Sequence, residues 1–200
     1  MRVRSWYGAA PFLALAVSCL AWTAKAQQHT IQQQAIDTAK SVMTVRVYKA
    51  GVLSAFGHDH EISAPIAGGK VDSAAHHVEL HTNASALRVH DPKASEKDRD
   101  EIQKTMLGPD VLDAGRYPEI VFRSTAAEPM GTGSWKVSGT LTLHGQTQPV
   151  TVEVRETAGR YEGHSLLKLV DFGIKPVRIA GGAVKVKDQI RIEFDIQLAR

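Results

Sequence analysis

The stretch Val137–Val154, VSGTLTLHGQTQPVTVEV, decides the fold class. Apolar residues recur at a spacing of two in both of its halves: Val137, Leu141 and Leu143, then Val150, Val152 and Val154. A period of two places such residues on one face of a β-strand. Between the halves, residues 144–149 (HGQTQP) are rich in turn formers. The stretch therefore predicts two antiparallel strands joined by a turn.

The same alternation recurs along the chain. Further strands are predicted at MTVRVYK (43–49), HVELHTN (77–83), EIVFRS (119–124) and, most regularly, Ile190–Leu198. Weaker candidates are 61–64, 70–72, 86–89 and 161–169, and the AGG segments at 67–69 and 180–182 are predicted turns. Roughly eight antiparallel strands, without repeats or a linker, predict one all-β domain that is either a sandwich or a closed barrel.

One segment departs from this period. Residues 95–107 (SEKDRDEIQKTML) contain helix formers, a capping pair of Ser95 and Asp98, and a stop at Gly108-Pro109. They predict one short helical excursion. Ile102 and Met106, four residues apart, would face the body of the protein and close one end of it.

The N-terminus has the layout of a secretory signal peptide. Arg2 and Arg4 precede an uncharged apolar stretch at 9–22, and Ala24-Lys25-Ala26 matches a small-x-small cleavage pattern. The apolar stretch is shorter than the roughly 20 residues that a membrane-spanning helix needs. We therefore predict a signal peptide at 1–26 and a secreted domain at 27–200. Lipidation of Cys19 is an alternative.

Cleavage changes the composition of the protein. It removes three of the 24 basic residues, which leaves 21 against 21 acidic ones, and it removes Cys19, the only cysteine. A formally neutral chain has no basic surface for nucleic acid. Without cysteine it has no disulfide and no thiolate. No membrane span is predicted for the mature chain.

Three stretches carry a resemblance to a known family: DVLDAGRYPEIVFRST (110–125), VSGTLTLHGQTQPVTVEV (137–154) and VDFGIKP (170–176). In this order and spacing they resemble the YceI family, from about Ile36 to the C-terminus. The resemblance implies an antiparallel, lipocalin-like β-barrel in the bacterial periplasm. It further implies an elongated apolar cavity that holds a polyisoprenoid, a quinone-like lipid or a similar long-chain lipid, and no catalysis.

In such a barrel the apolar strand faces line a single interior. The predicted ligand-binding wall is Met43, Val45, Val47, Ile120, Phe122, Leu141, Leu143, Val152, Ile192 and Phe194. Ordinary core packing is the competing interpretation of each residue. Burial supplies about 25 cal/mol per Å² of apolar surface, so a lipid tail could be held without a polar anchor. The alternative is a cavity filled by the protein's own side chains.

The motif FGHDHEI (56–62) suggests a second function. On a strand, His58 and His60 point the same way about 6.5 Å apart, so they could bind one zinc or copper ion with a third ligand. His144, His164 and Asp171 are candidates for that ligand. The competing interpretation is that Asp59 makes a turn and both imidazoles sit at a wet barrel rim. The remaining histidines, including His76 and His77, are interpreted as surface residues.

Common enzyme motifs are absent from the sequence. The sequence contains no G-x-S-x-G, no H-E-x-x-H, no Walker loop and no dinucleotide-binding glycine pattern. GTGSWK (131–136) has two glycines and is interpreted as a turn between strands. The sequence therefore predicts a binding protein and not an enzyme.

Overall fold

Alternating apolar and polar residues build twelve strands and one α-helix in the part of the chain that the computed structural model describes, residues 33–50, 59–92, 94–179 and 184–199. The strands are β1 Gln33–Ala35, β2 Val42–Ala50, β3 His60–Ser63, β4 Ile66–Asp72, β5 His77–Asn83, β6 Arg88–Val89, β7 Glu119–Gly131, β8 Ser134–Leu143, β9 Gln146–Thr157, β10 Arg160–Lys168, β11 Arg178–Ile179 and β12 Val184–Gln197. The predicted signal peptide and Cys19 lie outside these residues, so the boundary at 27 stays a prediction.

The described strands form one antiparallel sheet that curls until its first strand meets β12. The order is β1-β4-β5-β7-β8-β9-β10-β12-β2-β3-β6, with β11 beside β12. Ile36 bridges Leu198, and the Ala199 amide donates to the Ala35 carbonyl at 2.8 Å. The sheet thereby closes on itself, which satisfies backbone groups that would otherwise form open edges.

Twelve strands are more than the predicted eight because three walls of the barrel are each broken in two, and because β11 is a short additional strand beside β12. β1 pairs with β4 while β2 pairs with β3, so β1 and β2 continue one wall and β3 and β4 continue the next. β5 and β6 continue the third, since β4 pairs with β5 and β3 with β6. With β11 left out, the barrel therefore has eight walls. The predicted all-β antiparallel barrel with one helix is confirmed.

Two predicted turns are corrected. The connection between β8 and β9 is only His144-Gly145, where both residues have positive φ (52° and 72°). Such pairs match the twist of a tight hairpin, so residues 146–149 belong to β9. Ala67–Gly69 is not a turn but part of β4, with a register shift between Ile66 and Gly68. The AGG at 180–182 lies outside the described residues.

β1 was not predicted, and the weaker prediction near β6 needs correction. β1 arises in a polar lead that showed no alternation, because its register is imposed by β4 and the C-terminal residues. Residues 86–89 were predicted as a strand, but the segment starts as a 3₁₀ turn, Ala84–Ala86, capped by the Asn83 side chain. Only Arg88–Val89 remains as β6.

The predicted helix is confirmed as α1, Glu96–Leu107. The Ser95 hydroxyl accepts a hydrogen bond from the Asp98 amide, and Gly108 ends the helix. Gln103 ties α1 to the barrel: its side-chain oxygen accepts from the Val89 amide and its NH₂ donates to the Leu87 carbonyl, both at 2.8 Å. One side chain therefore satisfies the backbone groups around β6.

The barrel has two different ends. At the helix end lie α1, the 3₁₀ turn Leu169–Phe172 and the residues where β2 ends and β3 begins. At the turn end lie three hairpin turns, at 73–76, 132–133 and 158–159.

Each end has its own apolar core. The helix-end core includes Phe172 and Ile174, each 1% exposed, with Met106 of α1 packed into it. The turn-end core is smaller and consists of Ile36, Ile66, Val71 and Ile196 with their neighbours.

Candidate functional site

A cavity of about 850 Å³ lies inside the barrel and extends from one end to the other. Its wall is largely apolar. All ten residues predicted from the sequence line it: Met43, Val45, Val47, Ile120, Phe122, Leu141, Leu143, Val152, Ile192 and Phe194. Contact of these residues with a ligand stays a prediction.

Strand register explains why these side chains share one interior. On β2 and β12, Val45 lies directly opposite Ile192, and Val47 lies opposite Ile190. Directly opposed residues in an antiparallel pair point to the same face. The period-two pattern of each strand is thus carried around the barrel, and one face of every long strand becomes the cavity wall.

Two glycines make room for the aromatic residues of this wall. A Cβ on Gly163 would lie 2.6 Å from Cζ of Phe194, its cross-strand partner, and would also collide with the Glu153 carbonyl. A Cβ on Gly139 would lie 2.7 Å from Phe122. The rings therefore lie across the backbone of the neighbouring strand, and the cavity stays open.

The helix supplies a part of the wall that strand patterns could not show. Ile102, Thr105 and Met106 of α1 line the cavity. The spacing of Ile102 and Met106 predicted that they face the body of the protein, and the structure places both there. Their shared cavity with β2 and β12 depends on how α1 crosses the barrel.

Charged and polar side chains line the cavity at the helix end. Lys49 continues the inward alternation of β2 beyond Val47, and His60 lies directly opposite Val47 on β3. Lys175 and Lys185 line the cavity too. None of the three lysines was identified from the sequence, although the alternation from Met43 to Val47 points to Lys49.

His60 makes a defined contact with a buried carboxylate. Its Nδ1 lies 2.6 Å from Oδ2 of Asp91, which is 3% exposed, and the other Asp91 oxygen accepts from the Glu61 amide at 2.9 Å. The carboxylate thereby fixes the orientation of the imidazole at the cavity wall.

The predicted metal site is only half described. His58 lies outside the described residues. Within the described part of the chain, no three His, Cys, Asp or Glu side chains are placed to hold a metal ion. Of the candidate third ligands, His144 contacts the Phe172 carbonyl at 3.1 Å and His164 lies 3.8 Å from Glu153. Zinc or copper binding by His58 and His60 stays a prediction.

Two aromatic side chains mark the turn end of the cavity. The His76 and Trp135 rings lie 4.8 Å apart, and both residues line the cavity. His76 has φ 51° in the β4–β5 turn. His76 is exposed, as interpreted from the sequence, and it also lines the cavity. GTGSWK is more than a turn because Trp135 begins the inner face of β8.

The outer face of the barrel is held by ion pairs. Arg46 of β2 contacts Glu193 of β12 at 2.7 Å and Glu61 of β3 at 2.8 Å. The hydrogen bond from Arg46, assisted by Arg191, holds the pKa of Glu193 below its usual value against the opposing effect of burial. Polar contacts outside and apolar contacts inside give the wall its two faces.

Comparison with known proteins identifies the relatives of this barrel. The model of the YceI-like domain matches residues 34–198. The chain belongs to the YceI family. The match covers all twelve strands except the first residue of β1, so the cavity is built from the family domain itself.

Curated relatives have similar sequences over part of their length. The chain is 34% identical over 116 residues to a UPF0312 protein of Vibrio parahaemolyticus, which covers 52% of this chain and 59% of the relative. It is 40% identical over 85 residues to a UPF0312 protein of Pseudomonas savastanoi, covering 38% and 44%. The chain thus spans about half the length of these relatives.

A solved structure shows the same fold. BcnA of Burkholderia cenocepacia superposes with a TM-score of 0.64 and 21% identity, covering 82% of this chain and 99% of that one. The lipocalin-like architecture expected of a YceI protein is thereby shown. Among the described helices of the chain, none has the length and apolar character needed to cross a membrane.

Proposed function

We propose that this YceI protein is a periplasmic binding or carrier protein that holds one long-chain apolar lipid, of the polyisoprenoid or quinone type, inside its barrel. The observation that carries the proposal is the cavity of about 850 Å³, walled by alternate residues of the long strands. A cavity of this size falls within the range of small-molecule sites.

The wall composition favours a lipid tail over a polar ligand. The ten predicted wall residues have side chains that cannot form ordinary hydrogen bonds, so most of the free energy of binding would come from apolar area. At about 25 cal/mol per Å², burial of several hundred Å² of tail gives several kcal/mol before ordering costs. Gly139 and Gly163 leave room for the Phe122 and Phe194 rings, so these rings do not fill the cavity.

The function needs no catalytic residue. Storage or transfer of a lipid changes no covalent bond, and the cavity wall offers aliphatic and aromatic groups along most of its length. The predicted signal peptide would direct the protein to the periplasm, where an apolar molecule must be shielded from water in order to cross.

Native mass spectrometry tests this proposal. Residues 27–200, isolated from the native compartment without added ligand or metal, are expected to carry a bound mass of several hundred daltons that organic solvent releases. The comparison is the Gly163→Ala variant, in which the strand must shift or Phe194 must move into the cavity, so it should carry less of this mass. An apo mass, together with no uptake of an apolar dye, would contradict the carrier function and favour a cavity used only for packing. A single metal adduct that disappears in the His58→Ala, His60→Ala variant would support the metal hypothesis.

A further inference from the structure

One buried hydroxyl of the cavity wall lacks a hydrogen-bond partner in the described part of the chain. The buried polar side chains among the described residues are Asp72, Thr82, Asp91, Ser124 and Ser165. Both aspartates accept hydrogen bonds from backbone amides. The Ser124 hydroxyl accepts a hydrogen bond from the Val78 amide at 2.7 Å. The Ser165 hydroxyl donates to the Thr151 carbonyl at 2.8 Å, and the exception is the Thr82 hydroxyl.

Thr82 belongs to the inner face of β5. It lies directly opposite Ile120 of β7, a wall residue, and directly opposed residues of an antiparallel pair point to the same face. Its partner on β4 is the buried Ile66, and Leu80 precedes it on the same face of β5. The hydroxyl therefore lies in aliphatic surroundings. Neighbouring atoms cover its oxygen, and a change of χ1 rotamer would exchange it with the methyl group and turn it toward a ligand.

Packing alone does not require a hydroxyl at this position. Valine has nearly the same shape as threonine, and valines such as Val45 and Val152 line the same cavity. Burial of a hydroxyl without a hydrogen bond costs free energy, whereas an apolar group of the same shape avoids that cost. The Thr82 hydroxyl is therefore explained best by a polar group that enters the cavity with the ligand.

The chemistry of the hydroxyl selects the kind of polar group. A threonine hydroxyl has one donor hydrogen and two acceptor lone pairs. A ligand carbonyl oxygen would accept the hydrogen and bring no donor of its own. A ligand hydroxyl would leave one hydrogen of the pair without an acceptor in this aliphatic part of the wall. An ionised group would lose more hydration than one hydrogen bond returns.

We infer that Thr82 is a hydrogen-bonding subsite for a neutral carbonyl oxygen of the bound lipid, such as that of a long-chain ketone, ester or amide. This inference rests on the proposed lipid-binding function and specifies the polar group of the ligand. The wall next to Thr82 is aliphatic and lets a chain slide, so the hydrogen bond would fix the position of the chain along the cavity. One such bond contributes about three- to tenfold in affinity.

Matched ligands test the subsite. Hexahydrofarnesyl acetone, the alcohol made by its reduction and its parent hydrocarbon share one branched chain, and displacement of an apolar dye from residues 27–200 gives their dissociation constants. Thr82→Val removes the hydroxyl and should weaken binding of the ketone about three- to tenfold, with a smaller loss for the alcohol and none for the hydrocarbon. Thr82→Ser keeps the hydroxyl and should retain the wild-type ratio of ketone to hydrocarbon affinity. Equal losses for ketone and hydrocarbon in Thr82→Val, or no loss for the ketone, would overturn the subsite.

Melting temperatures of the ligand-free variants test whether the hydroxyl is unpaired in the empty protein. Ser165 is the matched comparison, because it is a buried hydroxyl of the same wall that already donates to the Thr151 carbonyl. Ser165→Ala should lower the melting temperature, whereas Thr82→Val should leave it unchanged or raise it. Equal falls in both variants would show that the Thr82 hydroxyl has a partner within the protein, which would overturn the inference.

Infrared spectroscopy detects the contact directly. With an isotope label in the carbonyl group of the ketone, the C=O stretch of the bound ligand should lie at a lower frequency in wild type and Thr82→Ser than in Thr82→Val, because a hydrogen bond weakens the C=O bond. Equal frequencies in wild type and Thr82→Val would overturn the subsite. Failure of wild type to take up the dye and all three ligands would instead overturn the proposed function.

Discussion

The helix end and the turn end of the barrel are closed by different means. The helix end is covered by α1 and the 3₁₀ turn Leu169–Phe172, whose apolar side chains enter a large core. The turn end is closed by short hairpin turns and by a core of four buried residues with their neighbours. Elements distant in sequence cover one end, while turns between consecutive strands cover the other.

This difference concerns both stability and polarity. Burial of large apolar side chains contributes most of the free energy of folding, so the helix end should carry more of it. The same end also presents Lys49, Lys175 and Lys185 to the cavity. The two ends therefore differ in their share of the stability and in the polar groups that line them.

Substitution in the helix-end core should reduce stability most. Phe172→Ala removes a side chain that is 1% exposed and should lower the free energy of unfolding by about 3–5 kcal/mol, through lost burial and the resulting cavity. Urea unfolding followed by circular dichroism measures it. Val170→Ala is the control in the same 3₁₀ turn, since Val170 is 51% exposed and should change stability by less than about 0.5 kcal/mol. Equal effects of the two variants would break the comparison between the ends.

The next effect concerns the turn-end half of the cavity. Gly163→Ala places a Cβ against Phe194 and the Glu153 carbonyl, so the strand must shift or the ring must move into the bore. We expect a loss of about 1–3 kcal/mol and weaker uptake of an apolar dye. In Gly68→Ala, by contrast, the new Cβ meets no atom within 4 Å, so dye uptake should stay at the wild-type level. Unchanged dye uptake in Gly163→Ala would show that this part of the cavity does not hold the dye.

A smaller effect is expected where α1 is tied to β6. Gln103→Ala removes both hydrogen bonds to Val89 and Leu87 and should cost about 1–2 kcal/mol. Amide exchange at Val89 should accelerate, because its hydrogen-bond acceptor is lost. Lys104→Ala changes the adjacent exposed residue and serves as the control. If exchange accelerated equally at both ends of the barrel, the helix would not be a separate cover.

The smallest change in stability is expected for the ion pair between Arg46 and Glu193 on the outer face of the barrel. The Arg46 hydrogen bond lowers the pKa of Glu193, so the stabilisation is present above the usual glutamate pKa and is lost as the pH falls through the lowered value. Glu193→Gln should therefore cost about 0.5 kcal/mol at pH 7, because the pair is partly exposed, and less below about pH 4.

The measurement for this pair is urea unfolding at pH 7 and at pH 3. Glu128→Gln is the control, since Glu128 forms no ion pair in the described part of the chain. A difference between wild type and Glu193→Gln that grew on acidification would contradict the assigned role of the ion pair.

Much of the barrel could be predicted from residues that repeat every two positions. Val45 and Ile192 were expected to face one interior, and both line the cavity. The prediction succeeded because strand geometry forces alternate side chains to opposite faces whatever the partner strand. It failed where the pattern is weak, as at β1, whose polar residues form a strand only because β4 and the C-terminal residues pair with them.

The candidate site was predictable in its wall but not in its ends. Trp135 and His76 are distant in sequence, and only the neighbouring hairpin turns bring their rings within 4.8 Å. His60 was noticed for its neighbour His58, but its contact in the structure is Asp91, a residue with no visible relation to it in the sequence.

The all-β class, the helix at 96–107 and the inward faces of the long strands could be predicted from sequence alone, because alternation, capping and turn residues act through the local backbone. The folded chain was needed to show that the sheet closes at Ile36 and Leu198, that α1 covers one end, and that His60 meets Asp91. These features depend on register between strands far apart in the chain, and register is set by the packing of the whole barrel.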